Sequence, residues 1–240
     1  NEILGGELGK YDRCHPNDHV NYGQSTNDVV PTAGKLTVQL LIKDLLTDLQ
    51  YLYDTLQAKG NEFDHVIKMG RTHLQDAVPI RLGQEFRAFS QPVLRDIKRI
   101  SAAVEELTYV NMGATAVGTG INADVEYVKN VVRILSEVTG FEFKQSPDLV
   151  DGTRNLDSFV WLSSALKTCA VNLSKTANDI RLMASGPKAG LAEILLPQQQ
   201  PGSSIMPGKV NPVIPEVLNQ VCFQIFGNDI TITKAAEAGQ

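Results

Sequence analysis

The sequence predicts an all-α protein, an elongated antiparallel bundle of long helices that oligomerises through the bundle. Apolar residues recur at spacings of three and four over several long segments, which is the period of an amphipathic helix. Glycine or proline follows most of these segments, as is typical of helix ends. Helices of about thirty residues are longer than a compact monomer of this size needs. We therefore expect their apolar stripes to pack against partner helices.

The first long helix is predicted over residues 28–59. Its apolar seam alternates between spacings of four and three and consists of Val38, Ile42, Leu45, Leu49, Leu52 and Leu56. Such a heptad seam is typical of helices that pack side by side. Gly60 follows the seam and is predicted to end the helix.

Four further helices follow from the same periodicity. The second spans 83–108, and Pro92 inside it is expected to cause a kink because proline removes a backbone donor. A shorter helix is predicted over 125–139 and a long one over 157–185, and the last begins near Pro212.

Composition and charge exclude several classes of partner. Hydrophobic residues make up 42% of the 240 residues and charged residues 20%, which is ordinary for a soluble globular protein. The net charge is -5, from 22 basic and 27 acidic residues, so we expect no nucleic-acid partner. The sequence has no basic run and no apolar stretch of spanning length, so we expect no membrane partner either. Cys14, Cys169 and Cys222 lie far apart without a CxxC pair, which favours free thiols in the cytoplasm.

Three stretches between the helices are not explained by a bundle: HPNDHVNYGQSTND (residues 15–28), GRTHLQDAVP (70–79) and PGSSIMPGKVNP (201–212). Each mixes hydroxyl or amide residues with glycine or proline, and each lies at a helix end. Loops on rigid scaffolds often carry binding and catalytic groups. In the third stretch the glycines allow backbone amides to approach an anion. The alternative, which the composition favours less, is a flexible connection whose Asn211 caps the next helix.

His15 and His19 are four residues apart and therefore resemble a pair of metal ligands. Pro16 argues against a helix that presents both, and no cysteine or carboxylate cluster completes a site. We expect no metal there. His65 is predicted to lie on the surface.

GSSIMPGKVNP resembles the signature of the aspartase/fumarase superfamily, and GQSTND and GRTHLQDAVP resemble its other two blocks in the same order. The resemblance covers essentially the whole chain. It implies that Ser203 is the catalytic base that removes a proton from carbon. It also implies eight substrate-binding residues: Ser25, Thr26, Asn27, Thr72, His73, Ser204, Lys209 and Asn211. The stretch from His15 to Asn21 is similar to one that lines a second anion site in fumarases.

The segments NPVIPE and AEAGQ resemble aspartases, whereas fumarases typically read NPTQCEA at the first position. The resemblance thus implies reversible conversion of L-aspartate to fumarate and ammonia. No cofactor is implied, because the substrate's own carboxylate accepts the electrons. The alternatives are a fumarate hydratase and a non-catalytic relative of the lens-crystallin kind. The presence of Ser203, Lys209 and His73 argues against the second.

The resemblance also implies a domain plan and partners. Residues 1–26 are expected to be the tail end of an N-terminal domain, and residues 27–240 a truncated central helical bundle without the C-terminal domain. The expected partners are a small dicarboxylate substrate and copies of the same chain, in a homotetramer whose active sites are each shared by three subunits.

Overall fold

In a computed structural model, which describes residues 1–239, the chain is mostly helical, and the all-α prediction is confirmed. The elements in chain order are α1 (Thr26–Glu62), β1 (Ile67–Thr72), β2 (Gln75–Arg81), α2 (Leu82–Glu106), β3 (Tyr109–Val110), α3 (Val125–Thr139), β4 (Lys144–Gln145), α4 (Leu149–Arg154), α5 (Asp157–Met183) and α6 (Val213–Ala238). A single π-helical turn, Pro16–Val20, precedes α1. None of the described helices combines the length and the apolar character needed to cross a membrane.

The chain divides into two compact units. The first contains Asn1–Lys43 and Val104–Ser158, with Gly239, and the second contains Asp44–Ala103 and Phe159–Ala238. These units are groups of packed elements, and the predicted domain boundary at residue 26 stays a prediction.

Helix α3 has the predicted bounds because both of its ends carry strong local signals. The Asp124 side chain accepts hydrogen bonds from the backbone N–H groups of Glu126 and Tyr127, which caps the N-terminus. At the other end Gly140 has a φ of 73°, the left-handed conformation that glycine adopts without strain.

The heptad seam of α1 is confirmed, but its predicted end is wrong. Ile42, Leu49 and Leu56 are buried, and the alternate seam positions are half-buried. The helix continues through Gly60 to Glu62. Gly60 serves packing: a Cβ atom there would lie 2.5 Å from Cγ of Arg87. The close approach of α2 requires a glycine inside the last turn of the helix.

Polar contacts show that α5 and α6 of the second unit run antiparallel. Ser163 Oγ donates a hydrogen bond to Asp229 at 2.8 Å, and Asn219 Nδ2 donates to Ser174 Oγ at 2.8 Å. Sequence numbers rise along α5 as they fall along α6, which is the antiparallel packing expected of a bundle. Similar contacts join α1 to α2 through Gln57–Ser90, and α2 to α5 through Asp96–Asn172.

The core of the first unit lies around the parallel pair β3–β4 and helix α3. Val110, Met112, Val132 and Phe143 form a buried cluster. Lys35 of α1 is also buried and donates a hydrogen bond from Nζ to the carbonyl of Tyr109 at 2.6 Å. This bond joins the N-terminal half of α1 to β3.

Candidate active site

Ser25, Thr26 and Asn27 lie at the N-terminus of α1. Ser25 Oγ accepts a hydrogen bond from the N–H of Asn27 at 3.1 Å, and Asp28 Oδ1 accepts one from the N–H of Ser25 at 2.9 Å. This reciprocal pattern is a capping box with aspartate in the third helical position. Thr26 and Asn27 are exposed at this helix end, where the helix dipole favours a carboxylate.

Asp28 fastens the loop 111–123 to this helix end. Its side chain is fully buried, and Oδ2 accepts hydrogen bonds from the N–H groups of Gly113 at 3.3 Å and Thr115 at 3.1 Å. Asn27 Nδ2 donates to the carbonyl of Ala116 at 2.7 Å. The sequence interpretation missed this loop, whose only local signal was an aspartate three residues after a capping serine.

A cavity of about 270 Å³ lies beside Ser25 and Thr26 in the first unit. It is lined by Asn17, Asn21, Gln24, Ser25, Thr26, Val29 and Val30. His15 caps the N-terminus of the π-helical turn, because its Nδ1 accepts hydrogen bonds from the N–H groups of Asn17 and Asp18, both at 3.2 Å. His19 Nδ1 accepts from the N–H of His15 at 2.9 Å. Both Nδ1 atoms thus serve the turn itself.

Thr72 and His73 lie at the tip of a β-hairpin, where we had predicted a loop. Strands β1 and β2 are antiparallel, with Thr72 opposite Gln75. His73 and Leu74 form the two-residue turn, and their φ angles of 51° and 61° are both left-handed. Turns of this mirror-image type usually contain Asn-Gly, so His-Leu gives no sequence signal. The prediction was wrong because Gly70 and Pro79 look like strand breakers, whereas Gly70 lies at an irregularity in the pairing.

Four charged side chains, Lys68, Arg71, Glu85 and Glu193, form what we call the hairpin ion cluster. Lys68 Nζ contacts Glu85 at 2.8 Å and Glu193 at 2.9 Å, and both terminal nitrogens of Arg71 donate to the Glu193 carboxylate. Exposure of these side chains is only 8% for Lys68 and 15% for Glu193. The cluster links the hairpin to α2 and to the segment that follows α5.

The pKa of Glu193 lies below its usual range. Burial raises this pKa, but the hydrogen bonds and the positive charges of Arg71 and Lys68 together lower it by more. The same hydrogen bond raises the pKa of Arg71. Glu193 is therefore ionised at neutral pH and held by two cations.

Ser203 and Lys209 lie in a folded loop before α6. The N–H of Ser203 donates to the carbonyl of Lys209 at 3.1 Å, and Ser203 Oγ accepts from the N–H of Met206 at 3.1 Å. Gly202 has a φ of 85°, and a Cβ atom on it would lie 2.9 Å from the Lys209 carbonyl oxygen. The loop closure therefore requires glycine at this position. Ser203 is half-buried, and Ser204, Lys209 and Asn211 are exposed.

Only some of the predicted residues are brought together directly. Ser25, Thr26 and Asn27 are adjacent in the first unit, and the hairpin tip and the loop 201–212 both belong to the second unit. Within residues 1–239, no hydrogen bond joins Thr72 or His73 to that loop. The exposed side chains at these sites are left available to a ligand.

Comparison with known proteins gives consistent matches along the chain. A family model described as Lyase matches residues 1–227. The aspartate ammonia-lyase of Bacillus subtilis (strain 168) is 57% identical over 239 residues, which cover 100% of this chain and 50% of that protein. For the aspartate ammonia-lyase of Escherichia coli (strain K12) the identity is 51%, with the same coverage. The chain thus spans about half the length of the curated relatives it matches.

Solved structures match over the whole chain as well. A fumarate lyase:delta crystallin from Brucella melitensis, bound to cobalt, superimposes with a TM-score of 0.95 at 52% identity, covering 100% of this chain and 52% of that one. A recombinant class II fumarase from Schistosoma mansoni gives a TM-score of 0.94 at 37% identity, covering 100% and 53%.

Proposed function

The chain belongs to the lyase family whose model matches residues 1–227, and we propose that the full-length protein converts L-aspartate reversibly to fumarate and ammonia. One observation carries the choice of substrate. The relatives named aspartate ammonia-lyase are 50–57% identical across the chain, whereas identity to the class II fumarase is 37%.

Ser203 is the proposed base. It takes the proton from the carbon beside the side-chain carboxylate of aspartate, and the electron pair moves into that carboxylate to form an enediolate. The C–N bond then breaks, and ammonia and fumarate leave. A serine acts as a base only if its alkoxide is stabilised. The hydrogen bond from the N–H of Met206 to Ser203 Oγ supports this role, because such a donor favours the deprotonated oxygen.

The substrate-binding residues fall into three groups in this proposal. Ser204, Ser25 and Thr26 hold the carboxylate that becomes the enediolate. Lys209 and Asn211 hold the other carboxylate, and Thr72, His73 and Asn27 hold the amino group. Stabilising the developing charge with preorganised donors is the largest contribution expected for such a reaction.

We further propose that the protein acts in the cytoplasm as a homotetramer whose active sites are shared by three subunits. Large apolar side chains on α1 and α6 support self-association because they are exposed in the single chain: Leu41 (67%), Phe223 (61%) and Ile230 (67%). A light-scattering mass of one subunit for the full-length protein would contradict this assembly.

The first experiment offers the full-length protein L-aspartate and then L-malate, and follows the ultraviolet absorbance of fumarate. We expect turnover of L-aspartate. Faster dehydration of L-malate, by about tenfold or more, would make the protein a fumarate hydratase instead.

The second experiment compares Ser203→Ala with Lys209→Met. Loss of the base should lower kcat by about 10²-fold or more while leaving affinity for a non-reactive dicarboxylate nearly intact. Loss of the Lys209 charge should weaken that affinity as well. Ser101→Ala, an exposed serine on α2, is the matched control and should behave as wild type. If Ser203→Ala keeps more than about a tenth of wild-type turnover, the base lies elsewhere.

A further inference from the structure

We propose that Glu193 is a positioning residue that holds the Thr72–His73 turn in place through the hairpin ion cluster. The inference rests on the proposed function for its catalytic readout, but its structural basis lies wholly within the second unit. Glu193 itself belongs to none of the three sequence stretches that carry the family resemblance.

The contacts of Glu193 join the turn to two other elements. Arg71, the residue directly before Thr72, donates from both terminal nitrogens to its carboxylate. The N–H of Glu193 donates to the carbonyl of Met183, the last residue of α5, at 2.9 Å. Lys68, which binds the same carboxylate, is also held by Glu85 of α2. Glu193 thus connects the strand that ends at Thr72 to the end of α5.

Burial makes the charges of the cluster interdependent. Two cations face two carboxylates, and the Arg71 side chain is only 17% exposed. Removing one carboxylate would leave a partly buried guanidinium and ammonium without their shared partner. The bidentate Arg71–Glu193 pair fixes direction as well as distance, because the planar guanidinium fork matches the carboxylate.

The hairpin tip needs such a support. His73 and Leu74 both hold left-handed backbone angles, which non-glycine residues keep only where the surrounding structure imposes them. Strand β2 continues directly into α2, whereas β1 is tied to α2 and to the segment after α5 by the cluster, through Lys68 and Arg71. A misplacement of about 1 Å can lower the rate of a reaction roughly 10²-fold. Loosening the strand that ends at Thr72 should therefore lower kcat.

The test is Glu193→Gln in the full-length protein, alone and combined with Thr72→Ala. We expect kcat to fall about 10- to 100-fold with KM within about threefold of wild type. In the Thr72→Ala background the same substitution should lower kcat by a smaller factor than it does in wild type, because part of its effect passes through Thr72. Asp64→Asn is the matched control: Asp64 pairs with Arg81 at the end of β2 and with Arg87 of α2, is 44% exposed and lies outside the hairpin ion cluster, and the change should leave kcat unchanged.

Two results would overturn the proposal. One is a kcat for Glu193→Gln within about threefold of wild type, and the other is an equal fold-loss with and without Thr72→Ala. If Glu193→Gln does not assemble, Arg71→Lys replaces it. This variant keeps the positive charge but cannot form the bidentate pair with Glu193, and the same changes in kcat are expected of it. If wild type converts neither L-aspartate nor L-malate, the proposed function fails separately. Hydrogen exchange then decides: residues 67–81 must exchange faster in Glu193→Gln and not in Asp64→Asn, and unchanged exchange overturns the inference.

Discussion

Asp28→Asn is the substitution for which the structure predicts the largest local effect in the first unit. The carboxylate accepts three backbone N–H groups, from Ser25, Gly113 and Thr115, and is fully buried. An asparagine keeps one acceptor oxygen and turns an NH₂ group toward at least one of those donors. Three bonds of about 1.5–3 kcal/mol each become at best two neutral ones of about 0.5–1.5 kcal/mol, a loss of about 5 kcal/mol at the middle of both ranges.

The assay is denaturant unfolding of the full-length protein together with hydrogen exchange of the loop amides. We expect lower unfolding free energy and faster exchange at Gly113 and Thr115. Asp48→Asn, an exposed aspartate on the same helix, is the control and should change stability by less than about 0.5 kcal/mol. A loss below about 1 kcal/mol for Asp28→Asn, with unchanged exchange, would show that these hydrogen bonds do not hold the loop.

Two further predictions concern packing and pH. Gly83→Ala should lower the unfolding free energy by about 1–3 kcal/mol or more, because a Cβ atom there would lie 2.1 Å from the carbonyl oxygen of Gly60. Thermal melts of the full-length protein check this prediction, and Ser101→Ala on the same helix is the control, which should be neutral or slightly stabilising. The ordinary pKa of Glu193 is 4.5 and its folded value is lower, so its contribution is complete above about pH 4.5 and is lost as the pH falls through the folded pKa. Melting temperatures of wild type and Glu193→Gln should therefore converge in acid, and a constant difference would contradict the assignment.

The helices were predictable because their signals are local. The heptad positions of α1 and the capping residues of α3 lie within a few residues of the structures they specify. The end of α1 was wrongly predicted at Gly60 because the role of this glycine is set by a distant residue. Its role depends on Arg87, which lies 27 residues away, and a glycine after an apolar seam looks the same whether it ends a helix or admits a neighbour.

The candidate site was predictable only as far as its motifs reach. The motif that predicts Ser25 as a substrate-binding residue also places it directly before α1, where its side chain caps the helix by accepting the hydrogen bond from the Asn27 N–H. The distant partners of Asp28 could not be found in the same way, because Gly113 and Thr115 lie 85 and 87 residues later and donate backbone N–H groups, which every residue except proline carries. A family motif identifies side chains that contact a ligand more readily than the groups that hold them in place.

The hairpin shows why local propensity fails at such a site. A two-residue turn of this type favours Asn-Gly, and a left-handed conformation costs a non-glycine residue about 1–2 kcal/mol. The chain places His73 and Leu74 there, so the strand pairing and the hairpin ion cluster must together offset that cost. An Asn-Gly turn would relieve the strain but would remove the histidine from the tip. The strain is therefore the cost of presenting His73, and the stabilising residues have to come from distant parts of the chain, as Glu193 does.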